Sequence, residues 1–325
     1  MMQKLNIAFF CQNKKNIDYV FGEKRLSEIA QLGNLNTTVI QPENIDNAAL
    51  EEIDILFSTW GMFVPTDEQF KRLKRLKVLF YAAGATDPFC RPFLERGVHV
   101  ISAWRANSIP VAEYCFSQII LGLKNYFQIA RNYTAKERTA EMKTKIGRGC
   151  YGARVALIGA GAIATKVQEL LKNCHVETLV IPSRKERRTA DLDTAFATSQ
   201  IVSNHLPDRE DNTGILNGKL FRSMQKDAVF INTGRGRQVN EPELIEVLKE
   251  RPDLSALLDV TFPEPPDENS ELYTLPNVFL TPHIAGSLND EVKRMADFMI
   301  LEFKNYLAQK PFQYEVTEKM LLTSQ

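Results

Sequence analysis

Three side chains late in the sequence are of the types that acid–base chemistry requires. Arg235 lies in Asn232-Thr-Gly-Arg-Gly236, Glu264 in Leu258-Asp-Val-Thr-Phe-Pro-Glu-Pro265, and His283 in Thr281-Pro-His-Ile-Ala-Gly286. Each follows a short apolar run that reads as a strand. A histidine can exchange a proton near neutral pH. A carboxylate beside it favours the imidazolium and fixes the ring. A guanidinium can pair with a carboxylate through two parallel N–H bonds, which orients an acidic ligand. Taken singly, each has a plainer reading: a packing histidine, a solvated arginine, an exposed acid in a rigid proline turn.

Upstream of all three is Gly159-Ala-Gly-Ala-Ile-Ala164. It joins an apolar run at residues 154–158 to an amphipathic pattern (Ile163, Val167, Leu170, Leu171). This is a strand entering a G-x-G-x-x-A turn and then a helix, the signature of a dinucleotide site. Gly159 permits the tight turn, Gly161 lets the backbone approach a pyrophosphate, and Ala164 lets the helix pack closely on the strand. Ala162 and Ile163 open the helix, whose N-terminal N–H groups and dipole favour anions. An acid usually stands some twenty residues on and holds the ribose 2′-hydroxyl of NAD. Here the segment is Ile181-Pro-Ser-Arg-Lys-Glu-Arg-Arg188, with no acid at the strand end. Ser183 and Arg184 suit a 2′-phosphate, so NADP is expected and NAD is the alternative. The plainer reading is a solvated basic loop.

The elements that must position these groups alternate along the chain. Apolar runs at 5–10, 37–40, 53–58, 77–81 and 98–101 are separated by amphipathic segments such as 68–76 and 88–96. A second series of strands is expected at 154–158, 177–182, 201–206, 228–232, 255–260 and 278–281, with helices at 162–172, 191–198, 219–225 and 241–250. Such alternation argues for parallel sheets covered by helices on both faces. Between the two series, Ser108 reads as an N-cap and Pro110 as a first-turn residue of a long apolar helix over 111–132. Ser287-Leu-Asn-Asp290 resembles a capping box opening a last helix to about residue 309. The expected fold is α/β, with two Rossmann-like or flavodoxin-like lobes. Residues 105–285 form the dinucleotide-binding lobe, inserted into a lobe made of 1–104 and 286–325.

Composition sets the remaining bounds. Forty basic residues balance forty acidic ones, which gives no global pull toward nucleic acid or membrane. The five cysteines (Cys11, Cys90, Cys115, Cys150, Cys174) have no metal spacing and read as reduced thiols. No metal is expected. The N-terminal apolar run reads as a strand rather than a signal peptide, and no stretch is long enough to span a bilayer. A cytoplasmic protein is the expectation.

The segments 155–164, Asn204-His-Leu-Pro207, 224–241, 258–265 and 281–286 together resemble the D-isomer-specific 2-hydroxyacid dehydrogenase family, in order and spacing. The first lobe resembles it only at Ala82-Ala-Gly-Ala85 and 107–113. The resemblance implies reduction of 2-keto acids, or oxidation of D-2-hydroxy acids, with a nicotinamide cofactor, in a homodimer joined through the cofactor lobes. It implies that Arg235 binds the substrate carboxylate and polarises the keto oxygen, that His283 is the acid–base residue, and that Glu264 bonds its imidazole. The backbone of Ala83 and Gly84 would cradle the substrate carboxylate. Asp259 would hold the nicotinamide side of the cofactor, with His205, Pro207, Thr233 and Gly234 also beside it. Glu264 argues against a formate dehydrogenase, which carries glutamine there because no proton moves. A regulatory protein that kept the dinucleotide site, such as a corepressor, is the rival reading. The substrate guess is glyoxylate or hydroxypyruvate, with Phe89, Trp104 and Arg105 lining the pocket or packing the lobes.

Overall fold

The structure, a computed structural model, describes residues 4–86, 88–184 and 190–321. The chain divides into two compact units: one holds the residues up to Ser108 together with those from Ser287 on, and the other is Ile109–Gly286.

The first unit runs β1 (Asn6–Phe10), α1 (Lys14–Leu32), β2 (Asn34–Ile40), β3 (Ile55–Ser58), α2 (Asp67–Arg72), β4 (Val78–Tyr81), α3 (Cys90–Leu94) and β5 (His99–Ser102), then resumes after the second unit. Its sheet has the order β12-β5-β4-β3-β1-β2, where β12 (Glu315–Val316) is antiparallel to β5 and the other pairings are parallel. Strands buried on both faces read as unbroken apolar runs, which is why Ile55-Leu-Phe-Ser58 and Val78-Leu-Phe-Tyr81 carry no alternation. Successive side chains still point to opposite faces. Ile7 and Phe9 join one core, and Ala8 and Phe10 join another on the far side of the sheet. In the first core, the Phe57 ring packs against Phe9, Phe21, Phe80 and Phe303, with centroids 5.0–6.0 Å apart. Phe303 belongs to α11 (Val292–Leu307), which returns late in the chain to cover this face.

The end of that return is fixed by one buried acid. Glu302 is fully buried, and its Oε2 accepts the backbone N–H groups of Gln313 (2.8 Å) and Tyr314 (3.4 Å), while Oε1 accepts Asn305 Nδ2 (3.0 Å). These bonds steer the chain into β12, an edge strand too short for its periodicity to be seen in sequence.

The helix expected over 111–132 is differently bounded. It starts at Trp104 and ends at Leu123 as α4 (Trp104–Leu123), with Pro110 inside it. Asn125 then takes a left-handed φ of 56°, and α5 (Tyr126–Asn132) begins. Ser108 is therefore no cap: its hydroxyl donates back to the Arg105 carbonyl at 2.8 Å, within the helix. The last helix is likewise not opened by Ser287. Glu291 accepts the Leu288 N–H at 3.1 Å, and α11 starts at Val292.

The second unit continues with α6 (Thr139–Lys143), β6 (Arg154–Ile158), α7 (Ala162–Leu171), β7 (Glu177–Ile181), α8 (Leu192–Thr198), β8 (Ile201–Asn204), α9 (Gly218–Ser223), β9 (Val229–Asn232), α10 (Glu241–Glu250), β10 (Ser255–Leu258) and β11 (Val278–Leu280). The strands expected at 201–206 and 255–260 stop two residues early, where the chain turns into loops. All pairings are parallel, in the order β11-β10-β9-β8-β6-β7. Both units therefore share a strand order that reverses beside the first strand. In such sheets ligands bind at the carboxyl ends of the strands, at the reversal. In the second unit the loops after β6 and β8 flank that point. Among the described residues no helix is long and apolar enough to cross a membrane.

Candidate active site

Each side chain of the expected trio sits on a loop at the carboxyl end of a strand of the second unit. His283 follows β11 and has a φ of 55°. Its backbone N–H is shared between the carbonyls of Asp259 and Thr281, both at 3.0 Å. A non-glycine residue in the left-handed region persists where its surroundings over-determine it. Here they do so through Asp259, the residue just past β10, which is 3% exposed. Its Oδ1 accepts the Ile284 N–H (2.8 Å) and the Thr281 hydroxyl (2.6 Å), and its Oδ2 accepts the Ala285 N–H (2.9 Å). Asp259 was expected beside the cofactor. Its carboxylate makes these bonds to the His283 loop.

Glu264 reaches the same place from the loop after β10, where the Phe262–Pro263 and Glu264–Pro265 bonds are both cis. His283 Nδ1 and Glu264 Oε1 are 2.7 Å apart, and both side chains are partly open to solvent. A carboxylate accepts and does not donate, so the proton between them belongs to Nδ1. That fixes the ring and leaves Nε2 as the nitrogen able to exchange a proton with a ligand.

Arg235 is on the neighbouring loop. Its Nη1 donates to the Gly234 carbonyl at 2.9 Å, and its Nε lies 3.8 Å from Asp208, which Arg237 holds at 2.5 Å. The loop is pressed onto the one that carries Glu264: a Cβ at Gly236 would lie 2.0 Å from the Thr261 carbonyl carbon and oxygen. Only glycine allows that approach.

Beneath the arginine lies a network that the sequence reading overlooked. Gln238 is fully buried. Its amide donates to the carbonyls of Leu206 (2.9 Å) and Pro207 (2.8 Å), and its Oε1 accepts Asn204 Nδ2 (2.7 Å) and the Arg235 N–H (3.1 Å). Asn204 also donates to Asn232 Oδ1 at 2.9 Å, and that oxygen accepts the Gly234 N–H at 3.1 Å. Three amides thus tie the ends of β8 and β9 to the arginine loop. Asn204 and Asn232 stand inside the motif segments, but amides carry no reactive chemistry to flag them. Thr233 is fastened separately, its Oγ1 lying 3.2 Å from Cys115 Sγ on α4.

The glycine turn has the expected form. Gly159 has a φ of 117°, and a Cβ there would lie 2.4 Å from the His205 carbonyl oxygen. Its N–H bonds the Ile181 carbonyl, and the His205 N–H bonds that of Ile158, both at 2.7 Å. The tightness that excludes a side chain at Gly159 is therefore the approach of β8. At Gly161, the N-cap of α7, nothing lies within 4 Å of a Cβ position, so the backbone faces open space. Ala162 and Ile163 begin α7, and Ala164 is buried against the core. Ser183 and Arg184 stand half-buried just past β7. The rest of that basic segment, residues 185–189, lies outside the described residues.

His205, next to this turn, is buried, and among the described residues neither ring nitrogen has a hydrogen-bond partner. Such orphaned atoms at the sheet's switch point fit a polar ligand seated there. Together with the open backbone at Gly161, they make the residues suited to a dinucleotide.

In the first unit, the Ala83 and Gly84 carbonyls both accept the Ser102 hydroxyl, at 2.8 and 2.7 Å, which fixes the loop after β4. Phe89 is a core residue rather than a pocket wall: it is 3% exposed and edges onto Tyr81 at 4.7 Å. The Arg105 guanidinium lies over the rings of Trp104 (5.0 Å) and Tyr314 (5.6 Å). Among the described residues no group of His, Cys, Asp and Glu is placed to hold a metal.

Burial pushes the His205 pKa down to about 4 from an ordinary 6.5, so the folded protein holds it neutral. A depressed pKa contributes stability that is present above 6.5 and lost as pH falls toward 4, because the unfolded chain takes up the proton first. The effect is at most about 3 kcal/mol. His205→Asn should therefore lose less stability than the parent between pH 6.5 and 4 in denaturant melts. Equal losses would show that this imidazole is not held neutral.

Residues 116–285 match the model for the D-isomer specific 2-hydroxyacid dehydrogenase, NAD binding domain. The chain is 34% identical over 204 residues to YoaD of Bacillus subtilis, named as a 2-hydroxyacid dehydrogenase, with 59% of each protein covered. It is 28% identical over 232 residues to the D-3-phosphoglycerate dehydrogenase of Archaeoglobus fulgidus, covering 69% of this chain and 44% of that one. It thus spans roughly half the length of these curated relatives. The NAD-complexed D-isomer specific 2-hydroxyacid dehydrogenase of Lactobacillus delbrueckii subspecies bulgaricus has the same fold, with a TM-score of 0.76 over 96% of this chain and 100% of that one at 18% identity. With half of its length matched by the family's cofactor-binding domain, the chain belongs to the D-isomer-specific 2-hydroxyacid dehydrogenase family.

Proposed function

We propose that the protein reduces a small 2-keto acid to its D-2-hydroxy acid, with His283 giving the proton to the keto oxygen. The observation that carries this reading is the 2.7 Å bond between His283 Nδ1 and Glu264, which leaves Nε2 to face a reacting oxygen. When bound, the nicotinamide dinucleotide supplies the hydride. Arg235 orients the substrate through its carboxylate, and the Asn204–Asn232–Gln238 network keeps that loop in place. The backbone of Ala83 and Gly84 is the candidate cradle for the substrate carboxylate in the first unit. Glyoxylate and hydroxypyruvate are the first substrates to try.

The cofactor we infer is NADP. The N–H groups at Gly161, Ala162 and Ile163 suit the pyrophosphate, and Ser183 and Arg184 suit a 2′-phosphate, with no acid at the end of β7 to prefer a free hydroxyl. His205 and Pro207, on the loop after β8, and Thr233 and Gly234, on the loop after β9, complete the proposed cofactor site.

A homodimer is also inferred. In the second unit, Tyr126, Tyr133, Ile146 and Tyr151 are 50–88% exposed within one stretch of chain. Exposed aromatic and aliphatic residues so concentrated suit a subunit interface. A one-chain mass in light scattering at micromolar protein would remove this inference.

His283→Ala should lower the reduction rate roughly 10²- to 10⁴-fold while NADPH affinity stays nearly unchanged. A loss confined to cofactor binding would contradict the acid role. Glu264→Gln replaces the charged acceptor of the His283 bond by a neutral one and should lower the reduction rate roughly tenfold with NADPH affinity nearly unchanged. A parental rate would count against the pair. No turnover across a 2-keto acid panel with either cofactor would favour a regulatory protein instead.

Arg184→Ala should weaken NADPH at least tenfold more than NADH, since only the former offers a 2′-phosphate for a charge-assisted bond. Equal effects on both cofactors would return Arg184 to a solvated loop residue.

A further inference from the structure

We propose that Tyr114 is a positioning residue for His283, acting through the hydroxyl of Thr281 and the carboxylate of Asp259. The proposal rests on the reading of His283 as proton donor.

The left-handed backbone of His283 is the feature to be explained, since it aims the imidazole at Glu264. It is held from both sides: the His283 N–H bonds the Asp259 and Thr281 carbonyls, and the next two N–H groups bond the Asp259 carboxylate. The Asp259 carboxylate is thus the anchor of the loop, and its own orientation decides where the loop lies. Two of its three described bonds come from that loop's backbone. The third comes from the Thr281 hydroxyl, at 2.6 Å.

Thr281 has one hydroxyl proton, and Asp259 takes it. The Tyr114 oxygen is 2.9 Å from the same threonine oxygen. With the threonine proton committed, the Tyr114 hydroxyl must be the donor of that bond. The direction is then set along the whole path: Tyr114 donates to Thr281, which donates to Asp259, which accepts the backbone beside His283. Burial raises the Tyr114 pKa, so the phenol keeps the proton this order requires.

Tyr114 lies 167 residues before Thr281, on α4. Its neighbour Cys115 contacts Thr233, on the loop that bears Arg235. One turn of α4 therefore touches both reactive loops, with a hydrogen bond on the histidine side and a thiol contact on the arginine side. A helix is a stiff reference for two loops that must present their groups to one ligand. Loss of the Tyr114 hydroxyl frees the threonine rotor, loosens its bond to Asp259 and widens the orientations open to the imidazole. Such loosening acts on the chemical step more than on ligand binding.

The test uses Tyr114→Phe, which keeps the ring and removes only the hydroxyl. We expect kcat for keto-acid reduction to fall roughly five- to tenfold with the KM values for NADPH and keto acid within about twofold of the parent. Thr281→Val should fall further, and Thr281→Ser, which keeps the hydroxyl, should return to within about twofold. In a His283→Ala background, Tyr114→Phe should lower the residual rate no further, because the two act on one step. A parental kcat in Tyr114→Phe overturns the proposal, as does an undiminished effect of that change in the His283→Ala background. If His283→Ala itself keeps the full rate, the proton-donor reading falls and takes the relay with it. If His283→Ala collapses while Tyr114→Phe matches the parent, the relay alone falls.

Discussion

The carboxylate of Asp259 governs the geometry of the site. It stands at the end of β10, buried, with the backbone of residues 284 and 285 and the hydroxyl of Thr281 as its partners. A buried acid is stable when its oxygens are taken up by donors, and these donors are supplied by one loop. The loop therefore cannot drift without leaving the acid unpaired. His283 inherits its unusual backbone, and hence its contact with Glu264, from that constraint.

A second constraint acts on the arginine side. Gln238, Asn204 and Asn232 form a connected amide network whose members are all buried. Partly satisfied, such a network would weaken the fold; satisfied, it defines one arrangement. It joins two strand ends to the backbone N–H groups of Gly234 and Arg235, and the bare Cα of Gly236 lets that loop lie on the backbone of Thr261. The histidine and arginine loops are thus fixed by different chemistry, a carboxylate for one and amides for the other, and the arginine loop meets the loop of Glu264 where no side chain can intervene.

Much of this was legible in the sequence, and the limits follow from what each signal encodes. Unbroken apolar runs located the parallel strands, because both faces of these sheets are covered. The glycine turn located the first strand of the second unit, because the approach of β8 leaves no room for a side chain at Gly159. The pairing of His283 with Glu264 followed from residue types and family spacing. The start of α4 did not: Pro110 looked like a first-turn residue, yet it lies inside a helix that begins at Trp104. The cap at Ser108 failed for the same reason, since a serine hydroxyl can bond back into a helix as readily as it can open one. The amide network and the bonds of Asp259 were hidden because they depend on contacts between segments remote in sequence. The part of the expected cofactor loop beyond Arg184 lies outside the described residues.

The interleaving of the two units in the chain also bears on how the protein is made. The first unit's sheet is nearly complete by Ser102, but the face that holds Phe9, Phe21, Phe57 and Phe80 is covered by Phe303 and its neighbours on α11. During synthesis, that aromatic surface waits for roughly two hundred further residues, and within that interval the whole of Ile109–Gly286 emerges with its own core. The inserted unit has all of its core residues in hand before the first unit does, so synthesis from the N-terminus does not supply the two cores in the order in which the units start.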